Sequence, residues 1–112
     1  MNMNQTIVIY EQKRGKSAFL DWLLHLKDVK ARAVIRARIN RLELGNFGDC
    51  KSVGAGVLEL RVSFGPGYRV YFGRDGNTVV VLLCGGDKGS QTKDIQKAKL
   101  LWKEYKDASK KL

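Results

Sequence analysis

The chain's 112 residues are 44% hydrophobic and 9% aromatic, enough for one modest core in a single domain, and no apolar run approaches the roughly 18 residues of a membrane span. Lys and Arg number 21 against 11 Asp and Glu, a formal net charge of +10; a magnitude of about 2 to 8 suffices for solubility in a small domain, so the surplus points to a polyanionic partner. Cys50 and Cys84, with no CxxC or His-rich surroundings, exclude a disulfide scaffold and a zinc site, and no basic stretch followed by an apolar one opens the chain, so a cytoplasmic protein without metal or cofactor is expected.

Residues 6–10, TIVIY, are β-branched and apolar and predict a short strand. After the charged loop EQKRGK, Ser17 is placed to cap a helix whose Phe19, Trp22, Leu23 and Leu26 recur at helical spacing. Asp28 caps a second helix, VKARAVIRARINRLEL, with the stripe Ala31, Ile35, Ile39 and Leu42 and with Gly45 as its stop. The two helices are expected to form a hairpin. The lone His25 is read as a solvent-side residue. Arg32, Arg36, Arg38 and Arg41 form a basic stripe on the second helix, either a solvated face or a surface for RNA; Arg36 and Arg41 are the candidates for the latter.

Residues 45–56 are glycine-rich and without period, an irregular loop carrying Lys51 and a loop thiol, Cys50. The period then becomes two. Leu58, Leu60 and Val62 alternate with Glu59, Arg61 and Ser63; after the Gly-Pro-Gly turn, Tyr68, Val70 and Phe72 alternate with Arg69 and Tyr71. Asp75-Gly76 signals a hairpin, and TVVVLLC reads as a strand buried on both faces and ended by Cys84. The last element, SQTKDIQKAKLLWKEY, is an amphipathic helix with Ile95, Ala98, Trp102 and Tyr105 in register, followed by a charged tail at about 106–112. The expected fold is one α+β domain over 1–112: a strand, a two-helix hairpin, an antiparallel three-stranded meander and a C-terminal helix.

Facing Leu60 with Val70 and Val62 with Tyr68 sets Arg61 opposite Arg69 and Glu59 opposite Tyr71. Like charges so placed cost up to about 1 kcal/mol. Paired guanidinium groups bind phosphate bidentately, which supplies a reason to keep them; the alternative is that Glu59 merely bridges the two. Lys51 and Lys88, the latter in GGDKGSQ after the apolar strand, can extend the cluster. No Ser-His-Asp set and no phosphate-binding glycine motif is present. Cleavage of RNA by its own 2′-hydroxyl fits such means, because cations stabilise the developing phosphorane charge.

The stretches FLDWLLHLKDVKARAVIRARINRLELGNFGD, GVLELRVSFGPGYRVYF and VVVLLCGGDKGSQTKDIQKA, most of residues 19 to 98, resemble the RelE/ParE superfamily of bacterial type II toxins, nearest the HigB-like addiction module killer protein branch. The resemblance implies a toxin that enters the ribosomal A site and cuts mRNA, neutralised by an antitoxin of the Cro/C1 helix-turn-helix type. It places the family's basic residues at Arg61, Arg69 and Lys88. A second strand lysine is replaced by Glu59, and the C-terminal catalytic tyrosine falls near Asp94, so that Glu59, Tyr71 or a bound water is left for acid–base work. The superfamily also holds gyrase-poisoning toxins, and a non-cleaving RNA-binding module is a third possibility.

Overall fold

The computed structural model describes residues 3–110. Among them a five-stranded mixed sheet carries helices on both faces. The strands are β1 (Thr6–Ile9), β2 (Cys50–Gly54), β3 (Val57–Val62), β4 (Tyr68–Asp75) and β5 (Val79–Asp87), in the order β1-β5-β4-β3-β2. β1 runs parallel to β5, and every other pairing is antiparallel.

Helices α1 (Ala18–His25) and α2 (Val29–Glu43) start where the caps were expected: the Ser17 hydroxyl accepts from Leu20 N at 3.2 Å, and Asp28 Oδ1 accepts from Lys30 N and Ala31 N. Both lay their apolar sides on one face of the sheet, where Phe19, Leu23, Ala31, Ile35 and Leu42 join Leu60, Val70, Phe72 and Leu82 in one core. Helix α3 (Gln91–Ser109) covers the other face, burying Ala98, Leu101 and Trp102 against Val57, Tyr71, Val81 and Leu83. Covered on both sides, β5 has no alternation to show: Val80 through Cys84 are all buried.

Five expectations need correcting. The meander has four strands, because part of the loop at 45–56 is β2. That strand is a short, half-exposed edge with a bulge between Ser52 and Gly54, so it offers no period to recognise. Cys50 therefore sits at the head of a strand, where its thiol donates to Phe47 O at 2.8 Å and burial pushes it up to about 11. Cys84 does not end β5, which continues to Asp87. The tail from 106 is helical as far as Ser109, and 111–112 lie outside the described residues. Finally, Arg38 leaves the solvated stripe: it is buried with Ala31, Ile35 and Leu42, while Ile39 packs half-buried against the same core.

A second bulge aims the far end of β5. Tyr71 pairs with Cys84 but Phe72 with Leu82, so Leu83 is an extra residue and the strand changes phase. Beyond it, Gly85 lies under the ring of Trp22 on the α1 side, while Gly86 lies under Asp94 and Ser90 on the α3 side. A methyl group at Gly85 would occupy the space of the indole. Gly85→Ala is thus expected to destabilise the fold by about 1–3 kcal/mol, as overpacked positions do, seen as a lower urea midpoint at unchanged slope.

Candidate functional site: a basic cluster anchored on a buried carboxylate

The register of β3 and β4 is the one the alternation requires: Leu60 faces Val70, Arg61 faces Arg69 and Glu59 faces Tyr71. β2 adds Lys51 opposite Glu59. One row across the sheet therefore reads Lys51, Glu59, Tyr71 and Cys84, and the next reads Arg61, Arg69 and Gly86. Both rows are on the α3 side. The helix begins at Gln91, whose amide reaches Glu59, so the arginine row lies just beyond its N-terminal end.

Glu59 has no exposed surface. Its Oε2 accepts from Gln91 Nε2 at 2.8 Å and from the Tyr71 hydroxyl at 3.0 Å. Oε1 accepts from Arg61 Nε at 3.3 Å, and Arg69 Nε forms an ion pair with Oε2 at 3.4 Å. Burial would raise this carboxyl, but the hydrogen bonds from Gln91, Tyr71 and Arg61 and the charge of Arg69 outweigh it and hold Glu59 below its ordinary range. Both arginines face the carboxylate through Nε, the atom on the stem side of the guanidinium, although only that of Arg61 donates a hydrogen bond to it. Arg69 Nη1 spends one hydrogen bond on Gly67 O at 3.2 Å, and the Nη atoms of Arg61 have no protein acceptor among the described residues. Arg61 is the more open, its side chain 38% exposed against 12% for Arg69.

Lys88 completes the group. It opens a 3-10 turn, Lys88–Ser90, that Asp87 caps by accepting from Gly89 N and Ser90 N. The place where a Cβ would stand on Gly67 is 3.7 Å from Arg69 Nη1 and 3.8 Å from Lys88 Cβ, so the Arg69 guanidinium and the root of the Lys88 side chain border the same turn. Arg61 and Arg69 thus share a single anchoring carboxylate, Lys88 stands in the turn beside Gly67, and Lys51 is exposed at the edge of the same face.

Tyr71 and Glu59 do not reach the surface. Tyr71 is wholly buried, and its hydroxyl is pushed far above the ordinary tyrosine range, first by burial and then by Glu59. Bonded to each other, they lie beneath the arginines. Asp94, standing where the resemblance implied a tyrosine, accepts from the Ser90 hydroxyl over Gly86 and faces inward. Of the remaining candidates, Arg41 borders a groove that also touches Arg61, whereas Arg36 borders a separate apolar groove with Ile7, Phe19 and Leu23 and does not join the cluster. Gln91 escaped the sequence reading, since a polar residue at a helix start carries no mark of its inward aim. No group of three His, Cys, Asp or Glu suited to a metal occurs among the described residues, and no helix there is long and apolar enough to cross a membrane.

The fold and site together define a small basic α+β module with an arginine pair on its sheet. Residues 21–106 match the model of the family described as phage-derived protein Gp49-like (DUF891), and the chain belongs to that family. It is 56% identical over 86 residues to a Haemophilus influenzae protein described as an uncharacterized protein, covering 77% of this chain and 87% of that one.

The anchor makes a thermodynamic prediction. Because the Glu59 carboxyl binds its proton less readily folded than unfolded, its network stabilises the fold above the free glutamate range, roughly pH 4.3, and that contribution is lost as pH falls through the lower folded-state value. Glu59→Gln, which leaves two guanidinium groups without their counter-charge, is expected to lower stability by about 3–5 kcal/mol at pH 7. The loss should shrink in acid, so that the two unfolding-energy profiles converge. Parallel profiles measured by urea titration between pH 7 and 3 would reject the anchoring role.

Proposed function

We propose that this chain is the toxin of a type II toxin–antitoxin module and acts as a metal-independent endoribonuclease on ribosome-bound mRNA. The observation that carries the reading is the Arg61–Arg69 pair held by a single carboxylate beneath it, with Lys88 rooted in the neighbouring turn. Membership of the Gp49-like family, which is related to addiction modules, supports the toxin assignment. The resemblance to the HigB-like branch supports the ribosome as the place of action and a helix-turn-helix antitoxin as the neutralising partner.

In this mechanism the substrate brings its own nucleophile. The 2′-hydroxyl attacks the adjacent phosphorus, the 5′-oxygen of the next nucleotide leaves, and a cyclic phosphate remains. Negative charge grows on the non-bridging oxygens during the attack. Guanidinium N–H groups already turned outward, with their stems locked by Glu59, stabilise that charge without reorganising. The ammonium of Lys88 adds a third cation at the leaving side. With Glu59 and Tyr71 sealed below, water takes the proton from the 2′-hydroxyl and returns one to the departing 5′-oxygen, which leaves as a hydroxyl.

The burial of those two groups also favours a second reading, a module that binds RNA without cutting it. Mapping transcript ends after induction separates the two. In-frame cuts in translated messages are expected for the native chain, and Arg69→Ala should reduce the cutting rate about 100- to 1000-fold, the scale of losing one preorganised charge donor. Growth arrest with DNA breaks and intact messages would instead identify gyrase as the target. Message binding without any new ends would identify the non-cleaving module.

A further inference from the structure

Where Arg61 leaves the sheet, a second groove opens on the α2 side, which the cleavage scheme above does not use. It encloses about 590 Å³, and its polar lining is Arg38, Arg41, Asn46, Asp49, Arg61 and Ser63. The telling member is Arg38. Only 9% of it is exposed, yet no carboxylate pairs with it among the described residues; its hydrogen bond there runs from Nη2 to Phe47 O at 3.2 Å. Its Nε and Nη1 have no protein acceptor among the described residues and are not sealed from solvent, so they are open to an anion lying in the groove.

The loop before β2 is shaped around this side chain. Gly48 has φ +57°, and a Cβ there would stand 2.6 Å from Arg38 Nη2, so a glycine is needed both for the backbone and for the close approach. Asp49, the groove's acidic member, forms no ion pair with any of the three arginines, which leaves their charge in excess. Arg61 borders both this groove and the cluster on the α3 side. The two surfaces thus have Arg61 in common.

We infer that this groove is a second phosphate subsite for single-stranded RNA, in which Arg38 and Arg41 hold a phosphodiester neighbouring the one at the cluster and Arg61 is shared between the two. The inference rests on the RNA reading above and deepens it. Arginine forks suit the two non-bridging oxygens of a phosphodiester. Asn46 and Asp49 stand beside them with the amide and carboxylate that a base edge can bond to.

The test is a fluorescence-anisotropy titration of the intact protein with a short 2′-O-methyl oligonucleotide, which cannot be cut, across a series of salt concentrations. Arg41→Gln, at an exposed helix position, is expected to weaken binding and to reduce the slope of log affinity against log salt by about 0.7, the value of one phosphate charge no longer neutralised. Arg38→Met should do the same, with circular dichroism and the unfolding midpoint recorded alongside; if it fails to fold, Arg41→Gln decides. An unchanged slope overturns the subsite. So does equal, Arg41-dependent binding of a polyglutamate peptide, which would make the groove a seat for an acidic protein segment. Because the probe is uncleavable, a reduced slope stands even if no message is cut in cells, and cut messages with an unchanged slope would sink the subsite alone.

Discussion

One buried carboxylate organises this molecule's working surface. Glu59 has no contact with solvent, yet it touches two guanidinium groups, a phenol and an amide drawn from β3, β4 and α3. Two arginines facing each other across antiparallel strands would otherwise repel and swing apart into water. The shared anion turns that repulsion into a fixed geometry. It binds through Nε, so the forks keep their outer N–H groups available, and the cost of burying the carboxylate is offset by the four partners around it.

The rest of the architecture serves that arrangement. The glycine-proline-glycine turn between β3 and β4 is tight enough to bring Lys88 beside Arg69. The bulge at Leu83 rotates the end of β5 so that Gly86, rather than a side chain, faces the start of α3, and Asp94 fills the space. Helix α3 covers the apolar part of the face and stops at Gln91, leaving the arginine row uncovered. Apolar burial thus ends where the charged surface begins.

Much of this could be read from the residues alone. Alternation in Leu58–Val62 and Tyr68–Phe72 dictated which residues share a face, and with it the Arg61–Arg69 pairing. Helix caps at Ser17 and Asp28 were equally plain. What escaped was set by partners distant in the chain. β2 is strand-like only because β3 lies beside it. Arg38 looks like any arginine on a basic stripe until the loop at 46–49 folds over it, and its burial follows from that long-range packing. That Glu59 lies wholly buried is a matter of depth below the surface, which period-two alternation cannot express. Gln91 was silent for the same reason.

The parallel pairing of β1 with β5 has a consequence for how the chain is born. Thr6 finds its partner in Val79, and Ile9 in Leu82, near the opposite end of the sequence. Until β5 has left the ribosomal tunnel, the N-terminal strand has nothing to pair with, and the sheet cannot close. Such distant pairings fold slowly compared with local ones. Nascent chains therefore remain without a finished sheet until β5 has emerged, an interval in which the producing cell carries the polypeptide but not yet its assembled surface.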